Sequence, residues 1–150
     1  MERKQGSQTT DENLDDFDVI YDGHLGGCAM KGDGATYYPN MWKGMIEKYN
    51  LKSVIDVGCG SGYALDFFKD EGLEVHGVEG CKEAVERNLI PPDMLSLHDY
   101  QNDGAYIPKK TYDLCWSCEF VEHVEEQYMY NFFETFKKSC FLAITFAAPG

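Results

Sequence analysis

The segment from Ser53 to Phe68, "SVIDVGCGSGYALDFF", constrains the fold more than any other part of the chain. Four of its first five residues suit a strand, its three glycines fall at alternate positions, and an apolar helical pattern follows. A strand that leads through a glycine-rich turn into a helix is typical of nucleotide-binding units, because the backbone of such a turn can approach a ligand closely. We therefore expect a ligand site at this turn.

Strand and helix patterns alternate along the chain after residue 40. Five segments have the composition of strands: Ser53–Val57, "EVHGVE", "MLSLHD", "YDLCWS" and "CFLAITF". Helices are predicted from Asn40 as N-cap to residue 50, from Gly62 to Asp70, at "KEAVERN" and over Glu119 to Lys138. This alternation predicts an α/β fold, a doubly wound and mainly parallel sheet with right-handed crossovers.

Length and charge limit the domain organisation and the partners. With 150 residues, 43% of them hydrophobic, the chain is long enough for one domain, predicted over residues 17–150. Residues 1–16 are charged and polar with little apolar content, which predicts a flexible acidic tail. The formal charge of −13 repels phosphate backbones, so no nucleic-acid partner is expected. No apolar run is long enough to span a bilayer, so no membrane span is expected either.

Six cysteines indicate the compartment. At least four lie in or beside apolar, strand-like segments, where buried free thiols are common, so we expect a reducing, cytoplasmic environment. The run "CWSC", Cys115 to Cys118, has the spacing of redox and zinc motifs. Because no second Cys/His pair stands at ligand spacing, these two cysteines are interpreted as core and turn residues.

The spacing of the glycine turn distinguishes between ligands. Dinucleotide-binding turns have a third small residue at the position that Tyr63 occupies here, and a tyrosine would obstruct the helix-to-strand packing. Asp56, two residues before the first glycine, would repel a pyrophosphate and attract an ammonium group. The expected ligand therefore lacks phosphate and carries positive charge, as S-adenosylmethionine does.

Two further acids end predicted strands. Glu79 ends the second strand, where a carboxylate can accept hydrogen bonds from both ribose hydroxyls. Asp99 ends the third strand and could bind the exocyclic amine of adenine, with His98 or Tyr100 against the ring. A solvated acid without a ligand stays open as an alternative at both positions.

The chain resembles the class I S-adenosylmethionine-dependent methyltransferases between about residues 40 and 146. "VIDVGCGSGYAL" is similar to their first motif, "VHGVEG" to their acidic second motif and "YDLCWSCEFVEHV" to their fourth-strand motif. The resemblance implies that the methionine part of the cofactor contacts the turn, at Asp56, Gly58, Cys59, Gly60 and Gly62. It also implies that Glu79 binds the ribose and that Asp99 lies near the adenine.

The end of the fourth strand is the candidate catalytic region. Ser117 and Glu119 are expected at the carboxyl edge of the sheet, beside the methyl group. Glu122 and His123 follow on the predicted helix, so that Glu119, Glu122 and His123 converge at positions i, i+3 and i+4. These three could supply a general base, with His123 the first candidate, or bind a divalent cation, although no metal is expected.

A similar E-x-x-E-H run occurs in the ubiquinone-biosynthesis O-methyltransferases, where the resemblance would imply a metal role. A structural role also stays open, with carboxylates at a helix N-terminus and His123 packed under the sheet. Residues 17–42, rich in glycine and tyrosine, are interpreted as an ordered but irregular loop segment. Its part from Tyr21 to Trp42 either folds over the site as a lid or covers exposed core. His24, Tyr37 and Tyr38 are its candidate contacts.

The methyltransferase fold normally adds two strands after the fifth, and this sequence ends at "AAPG". We therefore expect a domain without that C-terminal hairpin and a homo-oligomer through the exposed edge of the fifth strand. The favoured function is methyl transfer from S-adenosylmethionine to a small-molecule, glycan or other acceptor, with O-methylation preferred. The alternatives are a NAD(P)- or flavin-binding oxidoreductase and a catalytically silent, cofactor-binding interaction module.

Overall fold

The computed structural model describes residues 18–147, and the predicted tail over residues 1–16 lies outside them. Seven strands are present in this range: β1 (Val19–Tyr21), β2 (Gly27–Ala29), β3 (Ser53–Val57), β4 (Glu74–Glu79), β5 (Leu95–Leu97), β6 (Tyr112–Cys118) and β7 (Ser139–Thr145). Four α-helices accompany them: α1 (Pro39–Tyr49), α2 (Tyr63–Asp70), α3 (Lys82–Glu86) and α4 (Met129–Phe136).

The main sheet has five parallel strands in the order β5-β4-β3-β6-β7. All five residues of the central strand β3 are buried, as expected for a parallel strand with both faces covered. The chain passes from β3 to one side and then returns to β6 on the other side. This change of direction creates a crevice at the carboxyl ends of β3 and β6. The predicted doubly wound α/β fold is therefore confirmed.

Helices cover both faces of the sheet. On one face, Trp42 of α1 and Phe68 of α2 pack with Trp116 of β6, and all three side chains are almost fully buried. On the other face, Phe132 and Phe136 of α4 pack against the opposite side of the strands. The two faces together bury the apolar positions of the central strands, which fixes the carboxyl ends of those strands in space.

Residues 18–38 form more regular structure than predicted. The strands β1 and β2 pair as an antiparallel hairpin, with Val19 opposite Ala29 and Tyr21 opposite Gly27. The interpretation of this segment as an irregular loop is wrong, because three-residue strands are too short to show an alternating pattern. The helix that follows begins at Pro39 with Tyr38 as its N-cap, so the predicted N-cap at Asn40 is two residues too late.

The predicted helix from Glu119 to Lys138 is wrong in its first half. Glu119 has a left-handed backbone with φ of 49°, and the chain then forms two 3-10 turns, Val121–His123 and Glu126–Tyr128, before α4 begins. A left-handed residue breaks an α-helix. The third strand is also shorter than predicted, since β5 ends at Leu97 and Asp99 lies in the following loop.

No helix within residues 18–147 combines the length and the apolar character that a membrane crossing requires.

Candidate active site

A cavity of about 650 Å³ opens at the carboxyl edge of the sheet. Its floor is the glycine turn after β3 and the ends of β4 and β6, and the β1–β2 hairpin forms its opposite wall. Cavities of this size and position are typical of small-ligand sites in α/β folds. Of the residues predicted to bind a cofactor, five line the cavity together with Glu79: Asp56, Gly58, Cys59, Gly60 and Asp99.

The glycine turn requires glycine for steric reasons. Gly58 has φ of 76°, and a Cβ atom there would lie 2.6 Å from Cδ2 of Phe120. Gly62 has φ of 87°, and a Cβ atom there would lie 2.1 Å from Oδ1 of Asn88. Gly62 therefore packs outward, against Asn88, and is not part of the cavity lining within the described range.

Glu79 connects two loops at the edge of the cavity. Its Oε2 accepts a hydrogen bond from the Gly60 N–H at 2.7 Å, and its Oε1 accepts one from the Cys81 N–H at 2.9 Å. Burial raises the pKa of Glu79, and the hydrogen bonds from the backbone of Cys81 and Gly60 partly oppose that rise. Each carboxylate oxygen keeps a further lone pair for a ligand hydroxyl.

Asp56 lacks the hydrogen bonds that Glu79 has. Its side chain lines the cavity and the residue is only 2% exposed, yet no group within residues 18–147 donates a hydrogen bond to its carboxylate. Burial and, after it, the charge of Glu79 raise the pKa of Asp56 well above its ordinary value. An unpartnered buried carboxylate costs free energy, so this geometry favours a cationic group from a ligand.

Asp99 is held differently, near the surface. Its Oδ2 accepts hydrogen bonds from His24 at 2.7 Å and from the Asn102 amide at 2.6 Å, and its Oδ1 accepts one from the Gln101 N–H at 2.9 Å. Burial acts to raise the pKa of Asp99, but these hydrogen bonds outweigh it and the pKa is lowered. His98 also lines the cavity, and its Nε2 donates a hydrogen bond to the Gly104 carbonyl at 3.0 Å.

The β1–β2 hairpin closes the cavity through side-chain contacts. His24 reaches Asp99, and Ser61 of the glycine turn donates its hydroxyl hydrogen bond to the Ala29 carbonyl at 3.2 Å. A Cβ atom at Gly26 would lie 2.7 Å from Nδ1 of His123, so the hairpin also contacts the segment after β6. Of the predicted lid contacts, His24 and Tyr37 line the cavity, whereas Tyr38 packs on Trp42 and Trp116.

The four residues predicted around the methyl group separate in space. Ser117 is fully buried and donates to the Val57 carbonyl at 2.9 Å, so it does not belong to the cavity lining. Glu119 lines the cavity and accepts a hydrogen bond from the Thr145 hydroxyl at 2.8 Å. Glu122 accepts one from the Ala147 N–H at 3.2 Å and lies outside the lining.

The predicted convergence of Glu119, Glu122 and His123 on one helical turn is therefore wrong, because the turn is not α-helical. Only Glu119 and His123 reach the cavity. No group of three or more His, Cys, Asp or Glu side chains within residues 18–147 has an arrangement that could hold a metal ion. The general-base role of His123 stays a prediction.

The thiols of Cys28 and Cys59, which line the cavity, have raised pKa values. Burial, with the Glu79 charge second, raises the pKa of Cys28 to about 11, and burial likewise raises the pKa of Cys59 well above its ordinary value. Thiols with raised pKa values stay protonated at neutral pH and are poor nucleophiles. All six cysteines are free, which agrees with the interpretation of "CWSC" as core and turn residues.

Sequence reasoning missed Asn88 and Ser61. Asn88 bonds to the Gly60 carbonyl at 2.8 Å and Ser61 bonds to the hairpin. The serine stands inside the glycine motif and was visible there, but its partner lies in a hairpin that the pattern did not predict. Nothing in the helix pattern around residue 88 marks the asparagine as a partner of the turn.

One family model matches most of this chain. The family model described as a methyltransferase domain matches residues 43–141, well over half of the chain. The chain belongs to the methyltransferase domain family. The prediction of a class I S-adenosylmethionine-dependent methyltransferase, made from the motifs, is confirmed at this level. A search of curated protein sequences gave no significant match.

Two solved structures illustrate the likeness. The methyltransferase domain of a bacterial Hen1 protein (CtHen1-CN) is 26% identical with a TM-score of 0.51, and the match covers 65% of this chain and 56% of that chain. The plantazolicin methyltransferase BpumL, solved in complex with SAH (S-adenosylhomocysteine), is 16% identical with a TM-score of 0.50, over 65% of this chain and 38% of that chain. The second likeness concerns the fold alone. This chain spans little more than half the length of the Hen1 domain and less of BpumL.

Proposed function

We propose that this domain binds S-adenosylmethionine in the cavity and transfers its methyl group to a small organic acceptor. The observation that carries the proposal is Asp56, a buried carboxylate that lines the cavity and has no hydrogen-bond partner within residues 18–147. The α-amino group of S-adenosylmethionine is a cation that can complete this site. The family match supports the cofactor, and so does the SAH complex of the structural neighbour BpumL.

The rest of the cavity fits the same ligand. The free lone pairs of the Glu79 carboxylate can accept hydrogen bonds from two ribose hydroxyls, while its bonds to Gly60 and Cys81 keep it in place. Asp99 lies at the cavity wall, where its Oδ2 already accepts from His24 and Asn102. Its Oδ1 accepts only the Gln101 N–H, so that oxygen keeps a lone pair for an adenine amine. The turn itself offers backbone rather than side-chain surface to the methionine part.

The same features disfavour an oxidoreductase. A pyrophosphate placed at this turn would meet the carboxylates of Asp56 and Glu79. Tyr63 also occupies the position where a dinucleotide motif has a small residue. The second alternative, a catalytically silent binding module, would bind S-adenosylmethionine equally well. Only a measurement of methyl transfer distinguishes it from an enzyme.

Methyl transfer needs little covalent help from the protein. The bound cofactor supplies an activated methyl group, so the residues of the chain chiefly hold the acceptor in line with it. For a hydroxyl acceptor we propose that His123 takes the proton, with Glu119 beside it on the cavity wall. Glu119 is itself oriented by the Thr145 hydroxyl.

Charge supports a neutral or cationic acceptor. Five carboxylates line the cavity, against one lysine: Asp33, Asp56, Glu79, Asp99 and Glu119. A phosphorylated acceptor or a nucleic-acid strand would be repelled by this surface, which is consistent with the overall charge of −13. Small alcohols, phenols and glycans are the acceptors we favour.

The compartment and the assembly are proposals as well. Six free thiols favour the reducing cytoplasm. β7 has no second neighbouring strand within residues 18–147, and Phe141, Leu142 and Ile144 are between 37% and 47% exposed. The predicted association of two copies through this strand stays a prediction, which light scattering of the purified chain tests.

Calorimetry with S-adenosylmethionine, S-adenosylhomocysteine and NAD tests the ligand. We expect binding of the first two and none of NAD; binding of NAD alone would overturn the proposal. Release of S-adenosylhomocysteine in the presence of neutral, cationic and phosphorylated acceptors then tests catalysis. Tight cofactor binding without release for any acceptor would favour the silent module.

A further inference from the structure

Asn88 holds the glycine turn from the side opposite the cavity. It lies two residues after α3, and its Nδ2 donates hydrogen bonds to the Gly60 carbonyl at 2.8 Å and the Ala84 carbonyl at 3.2 Å. Its Oδ1 accepts a hydrogen bond from the Ile90 N–H at 3.2 Å. Both ends of the amide are therefore satisfied in one orientation, because the flipped amide would turn its oxygen towards two carbonyls.

The contact extends over three consecutive residues of the turn. Next to Gly60, the Ser61 carbonyl accepts a hydrogen bond from the Leu89 N–H at 3.0 Å. Next to Ser61, the hydrogen of Gly62 faces Asn88, since a Cβ atom there would lie 2.1 Å from Oδ1. The turn thus rests on residues 88 and 89 along its outer side.

This support determines where the amide groups of the turn point. The peptide group is planar and trans, so the carbonyl of Gly60 and the N–H of Ser61 point in opposite directions. Because Asn88 binds that carbonyl, the Ser61 N–H points away from Asn88. It has no hydrogen-bond acceptor within residues 18–147, and Ser61 belongs to the cavity lining. Glu79 meanwhile takes the Gly60 N–H at 2.7 Å.

We propose that Asn88 is a positioning residue for cofactor binding: it fixes the Gly60–Ser61 peptide so that the Ser61 N–H is available to an acceptor atom of the ligand. The proposal rests on the proposed function for the identity of that ligand. Gly58, Gly60 and Gly62 of this turn have positive φ angles. Because glycine adopts positive and negative φ almost equally readily, the peptide groups of such a turn have several competing orientations. A hydrogen bond that selects one of them before binding increases affinity, because the ligand does not have to order the turn.

Two substitutions at this position separate orientation from simple packing. Asn88→Ala removes the donor, and we expect S-adenosylhomocysteine to bind about fivefold more weakly. Asn88→Asp keeps the size and the acceptor for the Ile90 N–H, but turns a carboxylate oxygen towards the Gly60 carbonyl. Because this repulsion disfavours the native peptide orientation, we expect a loss of about thirtyfold.

Asp113→Ala is the matched control. Asp113 also makes side-chain hydrogen bonds to backbone, accepting from the Lys52 and Ser53 N–H groups, but at the amino edge of the sheet. The control variant should lose thermal stability and bind S-adenosylhomocysteine within twofold of the unchanged chain. Equal affinity for Asn88→Asp and the unchanged chain would overturn the proposal, and so would an equal loss of affinity in Asp113→Ala.

A ligand-free measurement keeps this test independent of the proposed function. In two-dimensional NMR spectra and by hydrogen exchange, Asn88→Asp should shift the Ser61 amide signal and alter its exchange at least tenfold, whereas Asp113→Ala should not. If the unchanged chain bound neither S-adenosylmethionine nor S-adenosylhomocysteine, the proposed function would fail while the NMR result still decided the role of Asn88. An unmoved Ser61 signal in both Asn88 variants would refute that role even if the cofactor bound.

Discussion

The two edges of the central sheet contain similar carboxylates in opposite circumstances. At the amino edge, Asp113 is the second residue of β6. Its carboxylate accepts hydrogen bonds from the Lys52 N–H at 2.6 Å and the Ser53 N–H at 3.0 Å, at the start of β3. The Asp113 N–H in turn donates to the Ser53 hydroxyl at 3.0 Å. At the carboxyl edge, Asp56 is more deeply buried and has no such partner within the described residues.

The two edges therefore differ in whether the chain itself supplies the partners of a buried carboxylate. A carboxylate whose partners belong to the chain stabilises the fold, whereas a buried carboxylate without partners costs stability and is retained where a ligand completes it. The same contrast separates Glu79 from Asp56 within the cavity, since Glu79 has two backbone donors and Asp56 has none. Five predictions test this difference between the two edges.

The largest effect is expected for Asp56→Asn. The amide keeps the size but not the charge, so binding of S-adenosylhomocysteine should weaken about a hundredfold, or about 2.7 kcal/mol. The ligand-free protein should become more stable by about 1 kcal/mol, a rise in melting temperature of about 2–4 °C. Calorimetry and thermal unfolding measure the two together. A less stable variant that binds normally would contradict the assignment of the carboxyl edge.

The amino edge should respond in the reverse sense. Asp113→Ala leaves two backbone N–H groups without their acceptor, so the free energy of unfolding should fall by about 2 kcal/mol. The melting temperature should then drop by about 4–8 °C while cofactor affinity stays within twofold. Unchanged melting would mean that solvent replaces the carboxylate at this edge.

Acidification should weaken binding through Asp56. Because its pKa in the folded protein is raised, the carboxyl becomes neutral at a pH well above the ordinary aspartate value of about 3.9 and can no longer pair with an ammonium group. Affinity should fall by up to about tenfold per pH unit in that range. Calorimetry in buffers of different ionisation enthalpy should show proton release on binding in the pH range where the Asp56 carboxyl of the ligand-free protein is protonated. Proton uptake instead would contradict the argument.

The stability of the ligand-free protein should change in the opposite direction. A raised pKa in the folded state means that the native protein binds the proton more tightly than the unfolded chain does. The contribution of this group to stability is therefore fully present below the unfolded value of about 3.9 and is lost as the pH rises through the folded value. Asp56→Asn, measured over the same pH range, should remove this contribution.

The smallest effect is expected for His24→Ala. The His24–Asp99 contact is 2.7 Å long, but the histidine side chain is 40% exposed, so solvent screens the interaction. Cofactor affinity should change by about twofold to threefold, with faster dissociation in stopped-flow measurements. A loss as large as that of Asp56→Asn would place the dominant interaction in the hairpin and not at the sheet.

The central strands of the sheet could be predicted because their apolar residues are buried. Ser53–Val57 and Glu74–Glu79 have the predicted bounds. All five residues of β3 are buried, whereas β4 buries Val75 and Val78 and has less buried glutamates at its ends. The glycine turn could be predicted because three of its residues adopt left-handed conformations that few other residue types adopt. The family and the fold followed from these two features.

The missed parts depend on contacts between distant segments. The residues after Glu119 are good helix formers, but Phe120 packs against Gly58 and on Tyr100 and Phe132, which directs the chain into short 3-10 turns. Local propensity contains no information about such a contact. The partners of Asn88 and Ser61 were hidden for the same reason.

The hairpin of β1 and β2 shares no backbone hydrogen bond with the five-stranded sheet within residues 18–147. Its attachments pass through side chains such as His24 and Ser61. The hairpin segment also packs Met30, Ile20 and Leu25 against Cys81 and Ala84. Lifting it therefore breaks this apolar cluster and the hydrogen bonds but leaves every strand of the five-stranded sheet paired, an opening smaller than global unfolding. We expect a spent cofactor to leave through such an opening, so that the dwell time of the product depends on the side-chain contacts of the hairpin and not on the stability of the sheet.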